Sequence, residues 1–164
     1  MVFASGRTGG MTVTSPYPAS GGTYILLVEL ASPVSIAVGK LGAIRFEKGV
    51  YAYVGSALGP GGLTARLGRY GRGPRRKHWH IDYLLEHGKI LGTVTRRGSD
   101  RRECCWAEWI GPQTLDSVPG FGSSDCRCGS HLFFVGNHSK SEELMAAAGC
   151  ELTATARSEV SDGL

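Results

Sequence analysis

Two short tripeptides frame the chain. Gly22-Thr23-Tyr24 opens one β-type run, Tyr53-Val54-Gly55 closes another, and an arginine-bearing helix follows. If the two runs pair antiparallel, their tyrosines come to lie close together on one face. A glycine beside them lets backbone approach closely. The helix expected over residues 63–70 carries Leu63 and Leu67 as its core stripe, at i and i+4. Arg66, Arg69 and Tyr70 share the adjacent stripe. This order sets two tyrosines, several arginines and a close turn where a phosphodiester can be gripped. The alternative use of both tyrosines is packing, since aromatics favour strands.

Around this frame the pattern alternates between strand and helix. Residues 23–30 and 34–38 read as strands and 39–42 as a turn. Residues 43–46 and 49–56 read as a hairpin across Glu47-Lys48. Tyr51 and Tyr53 fall on one sheet face, and Val50, Ala52 and Val54 on the other. Residues 58–62 form a glycine-rich loop. Helices are expected over 79–87, with Ile81, Leu84 and Leu85 inward, and over 101–110, capped by Ser99 or Asp100. Strands are expected at 90–95 and 131–135, an irregular stretch at 115–129, and a terminal helix at 141–148. Strands first and helices interspersed later predict an α+β fold, a small mixed or antiparallel sheet flanked by helices. The expected organisation is a flexible arm over 1–20, one domain over 21–137, and a helix with a little-ordered tail over 138–164.

The 164 residues carry a net charge of +4, unevenly spread. Arg66, Arg69, Arg72, Arg75, Arg76 and Lys77 follow one another, with no acidic residue from Val50 through Ile81. Such a block inside a folded domain is the footprint of a polyanion partner, or else a solvated loop. His78 and His80, flanking Trp79 beside the block, are candidates to contact phosphate or a base. No apolar run approaches the roughly 20 residues that cross a bilayer, and no secretory leader is visible. Five cysteines, an odd number, argue for a reducing, cytoplasmic setting and against a disulfide framework.

Glu103 stands out among the acids. On the 101–110 helix it shares a face with Trp106, Ala107 and Ile110. A carboxylate on a buried stripe costs on the order of several kcal/mol unless it is compensated. A hard cation such as Mg²⁺ would compensate it; so would folding back as part of a capping box with Asp100. Separately, Cys126-x-Cys128-x-x-His131, with Cys104 as a possible fourth member, is a candidate zinc set. Its Cys-x-Cys gap is tighter than the usual spacing.

Taken together, Gly-Thr-Tyr, Tyr-Val-Gly, Arg66, Tyr70 and Glu103 resemble the GIY-YIG nuclease superfamily, over roughly residues 22–135. The runs Lys77-His78-Trp79-His80-Ile81-Asp82-Tyr83 and Gly120-Phe121-Gly122-Ser123-Ser124-Asp125-Cys126-Arg127-Cys128 further resemble a branch of small prokaryotic members. That branch is sometimes fused to repair glycosylases of the endonuclease III type. The resemblance implies that Tyr24 is a general base or water-positioning group and that Tyr53 orients water or phosphate. It implies that Gly55 lets the backbone turn beneath the substrate. Arg66 would stabilise the phosphorane-like charge, Tyr70 would stand where relatives carry His or Tyr, and Glu103 would hold one Mg²⁺ or Mn²⁺. The loop between Gly55 and Arg66 is long for the pattern, and Asn137 does not match the asparagine that many relatives place near the metal.

The expected activity is therefore metal-dependent hydrolysis of nucleic acid, DNA favoured over RNA and structure-selective, with DNA repair as the expected setting. A non-catalytic basic binding module and a zinc-stabilised interaction domain are the alternatives. A free phenol ionises near pH 10, so about one in a thousand is a phenolate at pH 7. Tyr24 acts as a base only if nearby positive charge lowers that value. Oligomeric state has no signature in the sequence.

Overall fold

A computed structural model describes residues 20–73 and 76–154. Its strands are β1 (Gly22–Leu30), β2 (Val34–Ala37), β3 (Ala43–Phe46), β4 (Gly49–Ala57), β5 (Lys89–Arg97), β6 (Asp116–Ser117) and β7 (Leu132–Gly136). Its α-helices are α1 (Gly62–Arg72), α2 (His80–Leu85), α3 (Glu103–Ile110) and α4 (His138–Ala154). The fold is α+β. Five strands form an antiparallel sheet in the order β5-β1-β4-β7-β6, and β2 and β3 form a separate two-stranded sheet.

Alternation along β1 and β4 builds two cores. Tyr24, Leu26, Val28, Tyr51 and Tyr53 face one side and meet Leu63, Leu67, Tyr70, Ile81 and Leu84 from α1 and α2. Ile25, Leu27, Val50, Ala52 and Val54 face the other and meet Trp106, Ala107 and Ile110 of α3. Leu144, Met145, Ala148 and Leu152 of α4 complete that second core. Each sheet face is thus covered by a helical layer, which the period of two along the strands requires.

Three expectations are corrected. Residues 43–46 and 49–56 do not form a hairpin with each other. β3 pairs with β2, register Ile36↔Ile44, while β4 pairs along its whole length with β1. Nine residue pairs with two buried faces outweigh the local convenience of a short turn. The terminal helix is also longer than expected. It starts at His138 and continues through Cys150 and Glu151, because Leu152 reaches the second core. The cap expected at Ser99 or Asp100 is absent: α3 begins at Glu103, and the Asp100 carboxylate instead accepts from the Arg102 guanidinium.

The chain is already tied in at Ser20, whose carbonyl accepts from Leu63 N–H at 3.0 Å. Positions 1–19, most of the expected arm, and 155–164, most of the expected tail, lie outside the described residues, as does Arg75. Among the described residues, no helix is long and apolar enough to cross a membrane.

The segment between α1 and α2 is pinned by a buried carboxylate. Asp82, 0% exposed, takes two bonds from Arg69 at 2.8 and 2.9 Å and accepts from the backbone N–H groups of His78 and Trp79. Burial alone would raise its pKa. The Arg69 fork and the two N–H groups outweigh burial and hold it below the ordinary aspartate value. Asp82→Ala should lower unfolding free energy by about 3 kcal/mol, since it strands a partly buried guanidinium and two N–H groups. Arg72→Ala, at the exposed end of α1, should change it by less than about 0.5 kcal/mol. Urea titration of both variants measures the difference.

Candidate active site and its neighbouring cysteine–histidine cluster

Register places the two tyrosines. Tyr24 stands opposite Gly55 and Leu26 opposite Tyr53, so the rings of Tyr24 and Tyr53 lie 6.3 Å apart on the α1 face. Gly55 is not a turn. It sits within β4, and a side chain there would collide with the Tyr24 phenol, whose Cζ would be 2.6 Å from the added carbon. Gly22 has a similar reason to be glycine: an added carbon would strike the Arg96 carbonyl and come within 2.7 Å of Leu63 Cδ1. One motif glycine seats the phenol across β4, and the other seats β1 against the start of α1.

Tyr24 is fully buried, and its hydroxyl meets that of Tyr70 at 2.8 Å. The Arg66 guanidinium lies beside both hydroxyls and interacts favourably with them. Burial, and then the neighbouring phenols, push Tyr24 well above its ordinary pKa; Arg66 opposes this only in part. Burial also raises Tyr53 strongly and raises Tyr70. These phenols are neutral near pH 7, which suits hydrogen bonding and orientation better than proton abstraction.

In front of this network opens a cleft of about 350 Å³. Tyr53, Gly55, Arg66, His78, His80 and Glu103 all line it. Tyr24 and Tyr70 stand behind Arg66 rather than on the wall. Glu103, in the first turn of α3, has a largely covered side chain, and Arg101 approaches its carboxylate at 3.9 Å. The same Arg101 lies 3.5 Å from Asp125, which also lines the cleft. Ser56 contributes a buried hydroxyl with no hydrogen-bond partner among the described residues.

His80 is fixed by an unexpected contact. Its Nδ1 accepts from Gly122 N–H at 2.8 Å, which leaves Nε2 as the protonated nitrogen of the neutral ring. Gly122 has φ +71°, and a side chain there would press on the Tyr53 ring. The 120–131 loop therefore wraps directly over the cleft.

The basic block divides into separate uses. Among the described residues of the block, Arg66 is the arginine that lines the cleft, its guanidinium stacked 3.9 Å from the centre of the Trp79 ring. Arg69 is committed to Asp82 and to the Arg76 carbonyl. Lys77 pairs with Glu86 at 3.0 Å, and Arg72 and Arg76 are exposed. Trp79, Arg101, Ser56 and Asp125 were not singled out as site residues by the sequence reading. Trp79 had a signal, being an aromatic between two histidines; the others become visible only through tertiary contact.

Behind the same wall the cysteine–histidine set assembles. The ligand atoms of Cys104, Cys126, Cys128 and His131 all lie within 4.8 Å of one another. His131 Nε2 is 3.5 Å from Cys126 Sγ and 3.9 Å from Cys104 Sγ. A group of this kind could hold a metal ion such as zinc. Its hydrogen bond to Cys128, followed by burial, pushes the Cys104 thiol up to about 12. All five cysteines are free thiols.

Two outcomes follow from this geometry. Gly55→Ala should cost about 1–3 kcal/mol, as overpacking does, and less in a Tyr24→Leu background; denaturant titration of the double-mutant cycle checks it. Burial lowers the His80 imidazole below its ordinary value, so the unfolded chain takes up that proton first as pH falls. The His80 contribution should be complete above about pH 6.5 and decline below it. Thermal midpoints across pH 5–7 should show a flatter profile for His80→Gln.

No curated protein and no solved structure matches the chain. A family model described as a domain of unknown function, DUF123, matches residues 23–154. That span takes in the sheet, the tyrosine network, the cleft and all four residues of the cysteine–histidine cluster, and the chain belongs to the DUF123 family.

Proposed function

We propose that the protein is a metal-dependent endonuclease of GIY-YIG type, hydrolysing phosphodiester bonds in DNA. The observation that carries this reading is the convergence of Tyr53, Arg66 and Glu103 on one cleft, with the bonded pair Tyr24 and Tyr70 beside Arg66. Residues that lie far apart in sequence meet there, with a chemistry suited to a phosphate.

The cleft fits a divalent cation by its donors. Glu103 and Asp125 both line the cleft with hard oxygen donors, and Arg101 pairs with each, so a divalent cation bound there would take the place of that guanidinium. A Mg²⁺ or Mn²⁺ on Glu103, with Asp125 across from it, would supply Lewis-acid stabilisation of phosphate and leaving oxygen. The chain's own residues do the rest. Arg66 neutralises charge gained by the phosphoryl oxygens, with two neutral phenols beside it and its plane stacked on Trp79. Neutral Tyr53 orients the phosphate or the attacking water at the cleft wall. His80 donates from Nε2 to a phosphate oxygen. Exposed Arg72 and Arg76, in the segment that leads to His78 and Trp79, guide the backbone of the nucleic acid toward the cleft.

The cleft is small and lined by phosphate-binding chemistry, so selection by DNA structure suits it better than base reading. A repair role accords with that selectivity. A panel of branched, flapped, abasic and single-stranded DNA, with RNA counterparts, tests the reading. Cleavage should require Mg²⁺ or Mn²⁺. Arg66→Ala should slow it by about 10²–10³, or roughly 2.7–4 kcal/mol, while retaining much of the binding. Glu103→Ala should do the same. Salt-sensitive binding without any product would instead favour a non-catalytic binding module.

A further inference from the structure

We propose that Cys104, Cys126, Cys128 and His131 bind one zinc ion, and that this ion clamps the 120–131 loop to α3 and so holds the cleft wall in place. The donor set and its spacing carry the first half. Three thiolates and one imidazole are a ligand set of structural zinc, with about 2.3 Å to sulfur and about 2.0 Å to nitrogen. Tetrahedral bonds of those lengths put ligand atoms roughly 3.5–3.8 Å apart. The two approaches to His131 Nε2, 3.5 and 3.9 Å, are close to that spacing, and all four ligand atoms lie within 4.8 Å of one another, so binding needs a contraction of about 1 Å at most. The four residues come from three places: the first turn of α3, the tip of the loop and the residue before β7. A closed set of four protein ligands leaves no open position, so the ion is structural.

The clamp follows from what stands beside each ligand. Cys104 is adjacent to Glu103, and Cys126 is adjacent to Asp125; both acids line the cleft. His131 itself lines the cleft. At its base the loop is held by backbone bonds, Gly120 N–H to Gly129 O and His131 N–H to Phe121 O, both 2.8 Å, and by buried Phe121. Its tip is held far less. Cys126 N–H reaches Ser123 O at only 3.4 Å, and the tip meets α3 through the thiols and the residues just before α3 through the exposed Arg101–Asp125 pair. An exposed ion pair contributes little. One ion bonded to both sides replaces that weak attachment with coordinate bonds and sets the distance between Glu103 and Asp125.

The ion does not depend on the nuclease reading; the consequence for catalysis does. The full chain, grown with zinc and dialysed, should carry one zinc per molecule by elemental analysis. Cobalt exchanged into it should show thiolate charge-transfer bands and the intense absorption of a tetrahedral site. Cys126→Ser should lose the metal, while Cys105→Ser and Cys150→Ser, at exposed positions, should keep it. Stripping zinc from the wild-type chain should quicken hydrogen exchange on the order of tenfold in residues 120–131 and the first turn of α3, with β1 and β4 unchanged. Absence of metal, or full metal content in Cys126→Ser, overturns the site. Bound zinc whose removal leaves exchange in both segments unaltered overturns the clamp. Zinc and clamp both present in a chain that cuts none of the panel support this proposal and overturn the nuclease reading instead.

Discussion

The Tyr24 hydroxyl lies where β1, β4 and α1 converge, bonded to Tyr70 and beside the Arg66 guanidinium, with no exposure to solvent. A phenol can occupy that point only because residue 55 has no side chain. A buried hydroxyl left unpaired costs about 1–3 kcal/mol, so the network constrains all of its members together. It fixes the rotation of α1 on the sheet, and with it the direction of Arg66. Trp79, stacked on that guanidinium, ties α2 and the preceding loop to the same point.

Positive charge is sorted by this arrangement rather than pooled. Arg69 is spent on a buried carboxylate and Lys77 on Glu86, whereas Arg66 is held by neutral phenols that leave its charge uncompensated toward the cleft. That difference is what suits Arg66 to an anionic ligand. On the opposite wall, Glu103 and Asp125 supply the negative side, with Arg101 between them. The cleft thus holds Arg66 together with two carboxylates already paired to Arg101, the arrangement from which a phosphate and a divalent ion are proposed.

Much of this was legible because it rests on short periods. Alternation in β4 separates Tyr51 and Tyr53 from Val50, Ala52 and Val54, and the structure assigns those sets to different cores. The i, i+4 pair Leu63 and Leu67 is buried, with Arg66 beside it as the helical stripe requires. Long-range choices were not legible. β3 faces β4 across a short turn in sequence, yet pairs with β2, because β4 is taken on both edges by β1 and β7. The basic block could not reveal that Arg69 has a buried partner, since Asp82 lies beyond the charge run and its pairing depends on how α2 returns to α1. Gly55 was read as a turn because glycine often is one. Its actual reason, the ring of a residue 31 positions earlier, exists only once β1 and β4 are in register.

The proposed pairing, a divalent ion on the Glu103 carboxylate in the cleft that Arg66 lines, is tested most directly by Mn²⁺ titration of the zinc-loaded chain, followed by electron paramagnetic resonance. The expected result is a single Mn²⁺ site that persists in Arg66→Ala and disappears in Glu103→Gln. Equal Mn²⁺ binding by Glu103→Gln and the unaltered chain would contradict it.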